Sequence, residues 1–296
     1  MQLAMRVDVD TRIGLREGVP RLLDLFKRRS VRASFFVSFG PDNSGRALKR
    51  LWRPSFLLKM WRTNPFRLYG IRTLLSGTLL PSAPIGEGAP EILRAVTNEG
   101  HELGIHGYDH VRWQDCLEKM GERGIASELD ASVAAYESLL GTRPTSSAAP
   151  GWRCTPSSLA VQEKFQFLYA SDVRGAYPFL PVHEGRAFKT LQIPTTLPTM
   201  DELIGRERDV NGFLLSSLRE GLNVHTIHAE VEGRPHLSLF EQFLNKVCGH
   251  NNMEVVTLHE VAQRTLQRGL ERVPRLPVTK GSVPGRSGWI ACQGTA

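Results

Sequence analysis

Cysteine is scarce in this chain: four residues in 296, at positions 116, 154, 248 and 292. They form no paired metal-ligand spacing and are too few for a disulfide framework, so a reducing compartment is expected. No run of eighteen apolar residues occurs, and the N-terminus lacks a basic stretch leading into an apolar core and a small-residue cleavage site. The expectation is a chain without a signal peptide or a membrane-spanning helix, placed in the cytoplasm. Internal repeats are absent as well. Acidic residues are missing altogether from 43–86, a stretch that carries Arg46, Lys49, Arg50, Arg53, Lys59, Arg62, Arg67 and Arg72.

That gap explains the net charge of +7. The stretch contributes +8, the tail from Arg268 contributes +4, and the remainder is −5. Basicity therefore belongs to two segments and not to the fold, and their partner is expected to be anionic. Within Arg46–Leu80, residues such as Leu51, Trp52, Phe56, Leu57, Leu58, Trp61, Phe66 and Tyr69 alternate with the cations. This is the composition of an interfacial amphipathic segment, with cations for anionic headgroups and bulky apolar groups for the acyl boundary. Helices packed on the domain with solvated cations are one alternative, and a single-strand nucleic-acid groove is another. The aliphatic bulk favours a membrane surface, and no nucleic-acid partner is expected. Pro54 and Pro65 divide the segment into short helices.

Hydrophobic residues make up 41 % of the chain, ample for one large domain. Strand and helix patterns alternate. Leu3–Asp10 reads as a strand, Glu17–Arg29 as a helix and Val31–Phe39 as a second strand. After the basic insertion at 41–87 come a helix over Pro90–Glu99, a strand over His101–Ile105 and a long helix over Arg123–Leu140. Further strands are read at Phe167–Ala170, Leu191–Pro194, Asn223–Ile227 and Glu254–Thr257, interleaved with four helices. Such alternation implies a mainly parallel α/β sheet, open or closed into a barrel, with chemistry at the C-terminal strand ends. The tail 269–296, with Pro274, Pro277 and Pro284 and no periodicity, is read as a disordered basic extension of a catalytic domain spanning 1–268.

Two short stretches carry chemistry. Asp8 and Asp10 stand two apart in an apolar, β-branched run, so both carboxylates leave one face of a strand. Two desolvated carboxylates on one face cost several kcal/mol without a cation, which is the reason to expect one there. His106 and His110, four apart, can reach one ion from a helical turn, and such a set leaves positions open for water. The competing reading of Asp8-x-Asp10 is the metal–nucleotide-sugar motif of a glycosyltransferase. That motif normally follows a nucleotide-binding unit, and only seven residues precede it here.

Gly100-His101-Glu102-Leu103-Gly104-Ile105-His106-Gly107-Tyr108-Asp109-His110 resembles the second motif of the NodB-type polysaccharide deacetylases, in order and spacing. Asp8 and Asp10 are similar to their first motif. The resemblance implies a distorted (β/α) barrel and one divalent metal on Asp10, His106 and His110, with Asp8 as base. Zn²⁺ is the default for that donor set, and Mn²⁺, Co²⁺, Ni²⁺ or Fe²⁺ accept it too. Gly151-Trp152-Arg153 matches the third motif in part, which implies Arg153 as the residue steadying Asp8, with Asp172 as partner of that arginine. Val224-His225-Thr226-Ile227-His228-Ala229-Glu230 stands for the last motif, with His228 as acid and His225 expected on the same strand face as its rival.

Further strings resemble a deformylase branch of this family: Gly40-Pro41-Asp42-Asn43, Ser147-Ala148-Ala149-Pro150-Gly151-Trp152-Arg153, Ser171-Asp172-Val173-Arg174-Gly175 and Thr226-Ile227-His228-Ala229-Glu230. This similarity runs from Leu3 to about Thr265. It implies removal of formate from undecaprenyl-phosphate-linked 4-deoxy-4-formamido-L-arabinose, in lipid A aminoarabinose modification and polymyxin resistance. The place implied is the inner face of the inner membrane, reached through residues 43–86. The alternative within the family is deacetylation of another N-acylated lipid-linked sugar.

Overall fold

The computed structural model describes residues 1–46, 73–250 and 252–295. Its centre is a parallel sheet of β1 (Gln2–Val9), β2 (Ser34–Val37), β3 (Glu102–Ile105), β4 (Ser146–Ser147), β5 (Tyr169–Ala170), β8 (Leu191–Gln192), β9 (Leu222–His228) and β10 (Glu254–Val256). One edge of β1 pairs with β9 from Gln2 to Asp8. The other edge is shared between β10, over Gln2–Ala4, and β2, over Arg6–Val9. From β2 the order continues through β3, β4, β5 and β8, every pair parallel.

The sheet curls back on itself. Past β8, the amides of Thr196 and Leu197 both donate to Val224 O on β9, and the hydroxyls of Thr195 and Thr226 meet at 2.8 Å. This irregular seam replaces a ladder, so the barrel is closed but distorted. The alternation of side chains sorts each strand between two environments. Met5, Val7 and Val9 of β1, Phe35 and Val37 of β2, Leu103 and Ile105 of β3 and Ile227 of β9 pack outward in one cluster. That cluster is completed by helices over Val19–Arg28, Pro90–Asn98, Glu122–Leu140 and Leu237–Cys248. Ala4, Phe36, Tyr169 and Val224 pack inward in a second cluster, beneath the helix Leu258–Gln267. Arg6, Asp8, His106, Thr226 and His228 share that inward parity. The apolar floor thus lies at the N-terminal ends of the strands and the polar groups above it, toward the C-terminal ends.

The tail is a correction. It forms β11 (Arg275–Gly281) and β12 (Ile290–Gln293), an antiparallel pair. β11 also runs parallel to β6 (Leu180–His183), which pairs with β7 (Arg186–Ala187) in a second, four-stranded sheet. Leu276 and Ala291 are buried there with Cys154, Val173, Phe179 and Phe188. A few apolar residues anchor this pair, too few for a period to show in sequence, and Pro277 is accommodated in a short strand where its carbonyl accepts the Gly294 amide.

The insertion read at 41–87 falls for the most part outside the described residues, and with it lies the expected amphipathic segment. Its two ends are stitched together: Pro41 bridges Pro84, Gly45 N donates to Ser76 O and Ser76 Oγ donates to Asp42 O at 2.6 Å. Among the described residues no helix is long and apolar enough to cross a membrane, and all four cysteines are free.

Candidate metal centre

β1 delivers Asp8 near its C-terminal end and Asp10 just beyond it. His106 stands one residue past β3 and His110 is the first residue of the helix His110–Cys116, so the pair comes from a loop and a helix start instead of one helical turn. Gly107 allows that loop, because its φ of +68° is a conformation L side chains rarely adopt. The loop is pinned at several points. Asp109 caps the helix by accepting the Arg112 amide, its second oxygen accepts Asn43 Nδ2 at 2.6 Å, and Gly40 N donates to Tyr108 O.

Asp10, His106 and His110 bring three donor atoms within 4.8 Å of one another, a set that could hold a metal ion. Asp10 Oδ1 lies 3.3 Å from His106 Nε2 and Asp10 Oδ2 lies 3.2 Å from His110 Nε2. His106 Nδ1 meets Ala148 O at 2.8 Å, which fixes the proton on Nδ1 and turns a lone pair outward on Nε2. His106 Nε2 and Asp10 Oδ1 are buried without a hydrogen-bond partner. Two lone-pair atoms facing each other in that way repel unless a cation lies between them, so the residues fit a divalent ion on the chemistry of their donors. Asp10 and His110 keep a partly exposed side, and the centre opens there.

Asp8 lies beside this set, with Oδ2 3.6 Å from His106 Nε2. Its partner is Arg6. Nε donates to Oδ1 and Nη2 to Oδ2, each at 2.7 Å, and Arg6 Nη1 reaches the Ser171 carbonyl and hydroxyl. Burial acts to raise the Asp8 carboxyl, and the Arg6 guanidinium brings it below its usual value. The expectation that Arg153 steadies Asp8 is thereby corrected. Arg153 instead stacks on the Trp289 ring, 4.1 Å from its centroid. Asp172 is not its partner either: one carboxylate oxygen accepts from Gln162 Nε2 and Gln192 Nε2, both at 2.9 Å. Burial is the leading influence on Asp172 and raises its carboxyl. Arg6 escaped the sequence reading because it stands inside an apolar strand. The available signal was its spacing of two from Asp8, which puts both on one face.

β9 places His228 in register with Asp8 on β1, and Ala229 N donates to Asp8 O at 2.9 Å. His228 Nδ1 lies 4.0 Å from Asp201 Oδ1, and its backbone amide donates to Glu232 Oε2 at 2.7 Å. Burial pushes Glu232 up to about 8. His225 does not share this face. It stands three positions before His228, an odd spacing that sends its ring outward onto Phe243, 5.2 Å between centroids. Burial lowers His225 to about 3. Gly18 seats a π-helical turn, Gly14–Gly18, against the residue after His228. A Cβ on Gly18 would stand 2.0 Å from Ala229 O.

A barrel of parallel strands with an Asp-His-His set above it, and a carboxylate beside that set, defines a hydrolase of the polysaccharide deacetylase type. Residues 8–170 match the polysaccharide deacetylase family, and the chain belongs to it. The chain is 38 % identical, over 99 % of its length and 94 % of the relative's, to the probable 4-deoxy-4-formamido-L-arabinose-phosphoundecaprenol deformylase ArnD of Shewanella sediminis. It is 34 % identical to the protein of the same name from Wigglesworthia glossinidia brevipalpis, over 95 % of this chain and 98 % of that one. These alignments run nearly end to end and are not confined to Leu3–Thr265. Among solved structures, a probable polysaccharide deacetylase from Pseudomonas aeruginosa PAO1 superposes with a TM-score of 0.63 at 17 % identity, covering 91 % of this chain and 92 % of that one. The chain is therefore an enzyme that hydrolyses amide bonds.

Proposed function

We propose that the chain is a deformylase that removes formate from undecaprenyl-phosphate-linked 4-deoxy-4-formamido-L-arabinose, the substrate named for its two nearly full-length relatives. The observation that carries the chemistry is the division of labour in the site. Three donors converge on one point, and a fourth group, Asp8, stands beside them already paired to an arginine. Asp10, His106 and His110 would hold one divalent ion, which supplies Lewis-acid polarisation of an amide carbonyl and acidification of water. Zn²⁺ suits two imidazoles and a carboxylate, and Mn²⁺, Co²⁺, Ni²⁺ and Fe²⁺ remain compatible with them.

Asp8 takes the proton from the attacking water. The Arg6 fork keeps it ionised and aims its remaining lone pairs. His228, in register across the β1/β9 pair, delivers a proton to the sugar nitrogen as the C–N bond breaks, because an amine is a poor leaving group as an anion. Arg153 and Asp172 drop out of the acid–base set, the first stacked on Trp289 and the second held by Gln162 and Gln192. The products are formate and a free amino sugar on its lipid carrier.

A lipid-linked substrate places the enzyme at a membrane surface. The charge of residues 43–86, with eight cations and no acid, supports docking on the anionic inner face of the inner membrane. The test is formate release from the undecaprenyl-phosphate-linked formamido sugar, with the acetamido analogue as control. Release from the formamido sugar alone is expected. Equal hydrolysis of both would move the reading to a broader sugar deacetylase, and no hydrolysis of either would overturn it.

A further inference from the structure

The C-terminal strand pair touches the reaction centre through one indole. Trp152 lies on the loop after Ala148, the residue whose carbonyl meets His106. Three guanidiniums surround its rings: Arg286 at 4.4 Å from the centroid, Arg174 at 4.9 Å and Arg6 at 5.3 Å. Arg286 belongs to the connection between β11 and β12, and Arg6 is the group that grips Asp8. Glu202 ties the outer two together, accepting Arg174 Nη1 at 3.1 Å and lying 3.8 Å from Arg286.

Trp152 needs such support. Its φ is +52°, directly after Gly151 at +64°, a left-handed conformation that L side chains rarely adopt. Strained residues of this kind persist where their surroundings over-determine them. Here the surroundings are the Thr195 hydroxyl, which accepts Trp152 Nε1 at 3.0 Å, and the ring of arginines. The next residue is clamped by the same segment. Arg153 stacks on Trp289, whose Nε1 donates to Glu118 at 2.8 Å.

We propose that the C-terminal strand pair is a working part of the site and that Arg286 is a positioning residue: through the Trp152 indole it fixes the Arg6 guanidinium that holds Asp8. The inference rests on the reading of Asp8 as the base. It does not depend on which acyl group is removed. A base displaced by a fraction of an ångström reacts more slowly without binding substrate less well.

The experiment uses the full-length, metal-loaded enzyme and whichever of the formamido and acetamido sugars it hydrolyses, so failure of the formyl assignment changes the substrate and not the ratio measured. Arg286→Ala is expected to lower kcat by about 10- to 100-fold with KM within about threefold and metal content unchanged. Methylguanidinium should restore part of the rate by filling the vacated position over the indole. Arg286→Ala in an Asp8→Asn background should add less than about twofold, because its effect passes through Asp8. If Arg286→Ala fails to fold, Arg286→Lys, which keeps charge and bulk but loses the planar stack, is expected to show the same kcat loss at a near-native Tm. An unchanged kcat, a loss confined to KM, or full additivity with Asp8→Asn would overturn the proposal.

Discussion

Arg6 and Asp8, two apart on β1, form a fork-to-fork pair with both contacts at 2.7 Å and the guanidinium fully buried. A lysine cannot present two coplanar donors. Arg6→Lys is therefore expected to lower kcat at least tenfold while the metal is retained. Arg6→Met, which leaves Asp8 buried with no counter-charge, should cost about 3–5 kcal/mol of stability in denaturant titration. Arg153→Gln should cost less rate than Arg6→Gln, and the reverse order would restore Arg153 to the role read from sequence.

The metal set separates from the base by substitution. Asp10→Ala and His106→Ala should each abolish both bound metal, by elemental analysis, and formate release. Asp8→Asn should keep the metal and lose rate by about 100-fold or more. Turnover retained in Asp8→Asn would sink the base assignment.

The two histidines of β9 divide by parity. His228→Gln is expected to lose about 100-fold or more in kcat with metal retained. His225→Leu, a change in the helix layer, should stay within about threefold of the native rate. Equal losses in both would mean that the acid role had been given to the wrong face.

His225 also predicts a pH effect on stability. Burial lowers its folded pKa to about 3, whereas the unfolded chain takes up that proton near the ordinary value of about 6.5. The stabilisation is complete above about pH 6.5 and is lost as pH falls toward 3. Between pH 8 and pH 5 it should diminish by about 2 kcal/mol. Urea titrations of native protein and His225→Leu at both pH values test this: the variant should lose about 2 kcal/mol less.

Membrane docking rests on charge in the insertion. Replacing Arg50, Arg53, Lys59 and Arg62 by Glu should release the protein from vesicles containing anionic lipid, at about 1 kcal/mol for each cation near the surface. Unchanged co-sedimentation would refute that reading.

The barrel was legible because its strands and helices bury opposite faces and must show their periods. The strand expected at Leu3–Asp10 is Gln2–Val9, and the helix expected at Arg123–Leu140 is Glu122–Leu140. Asp10, His106 and His110 converge because residue type and spacing carry them. Arg6 was hidden, since one cation in a β-branched run leaves no periodic trace and its partner lies across a pleat. The β11/β12 pair was hidden for a related reason: it is held by a few isolated apolar side chains and by hydrogen bonds to Arg174 and Pro277. His225 was misplaced by a parity that the pleat enforces.

The register of β1 with β9 sets Asp8 opposite His228. Neighbouring strands lie about 4.8 Å apart, a distance fixed by backbone hydrogen bonding and insensitive to side-chain identity. The span between the proposed proton acceptor and the proposed donor is thus a property of the ladder and not of the loops above it. Selectivity in such a barrel can drift, or be engineered, without recalibrating the proton transfers.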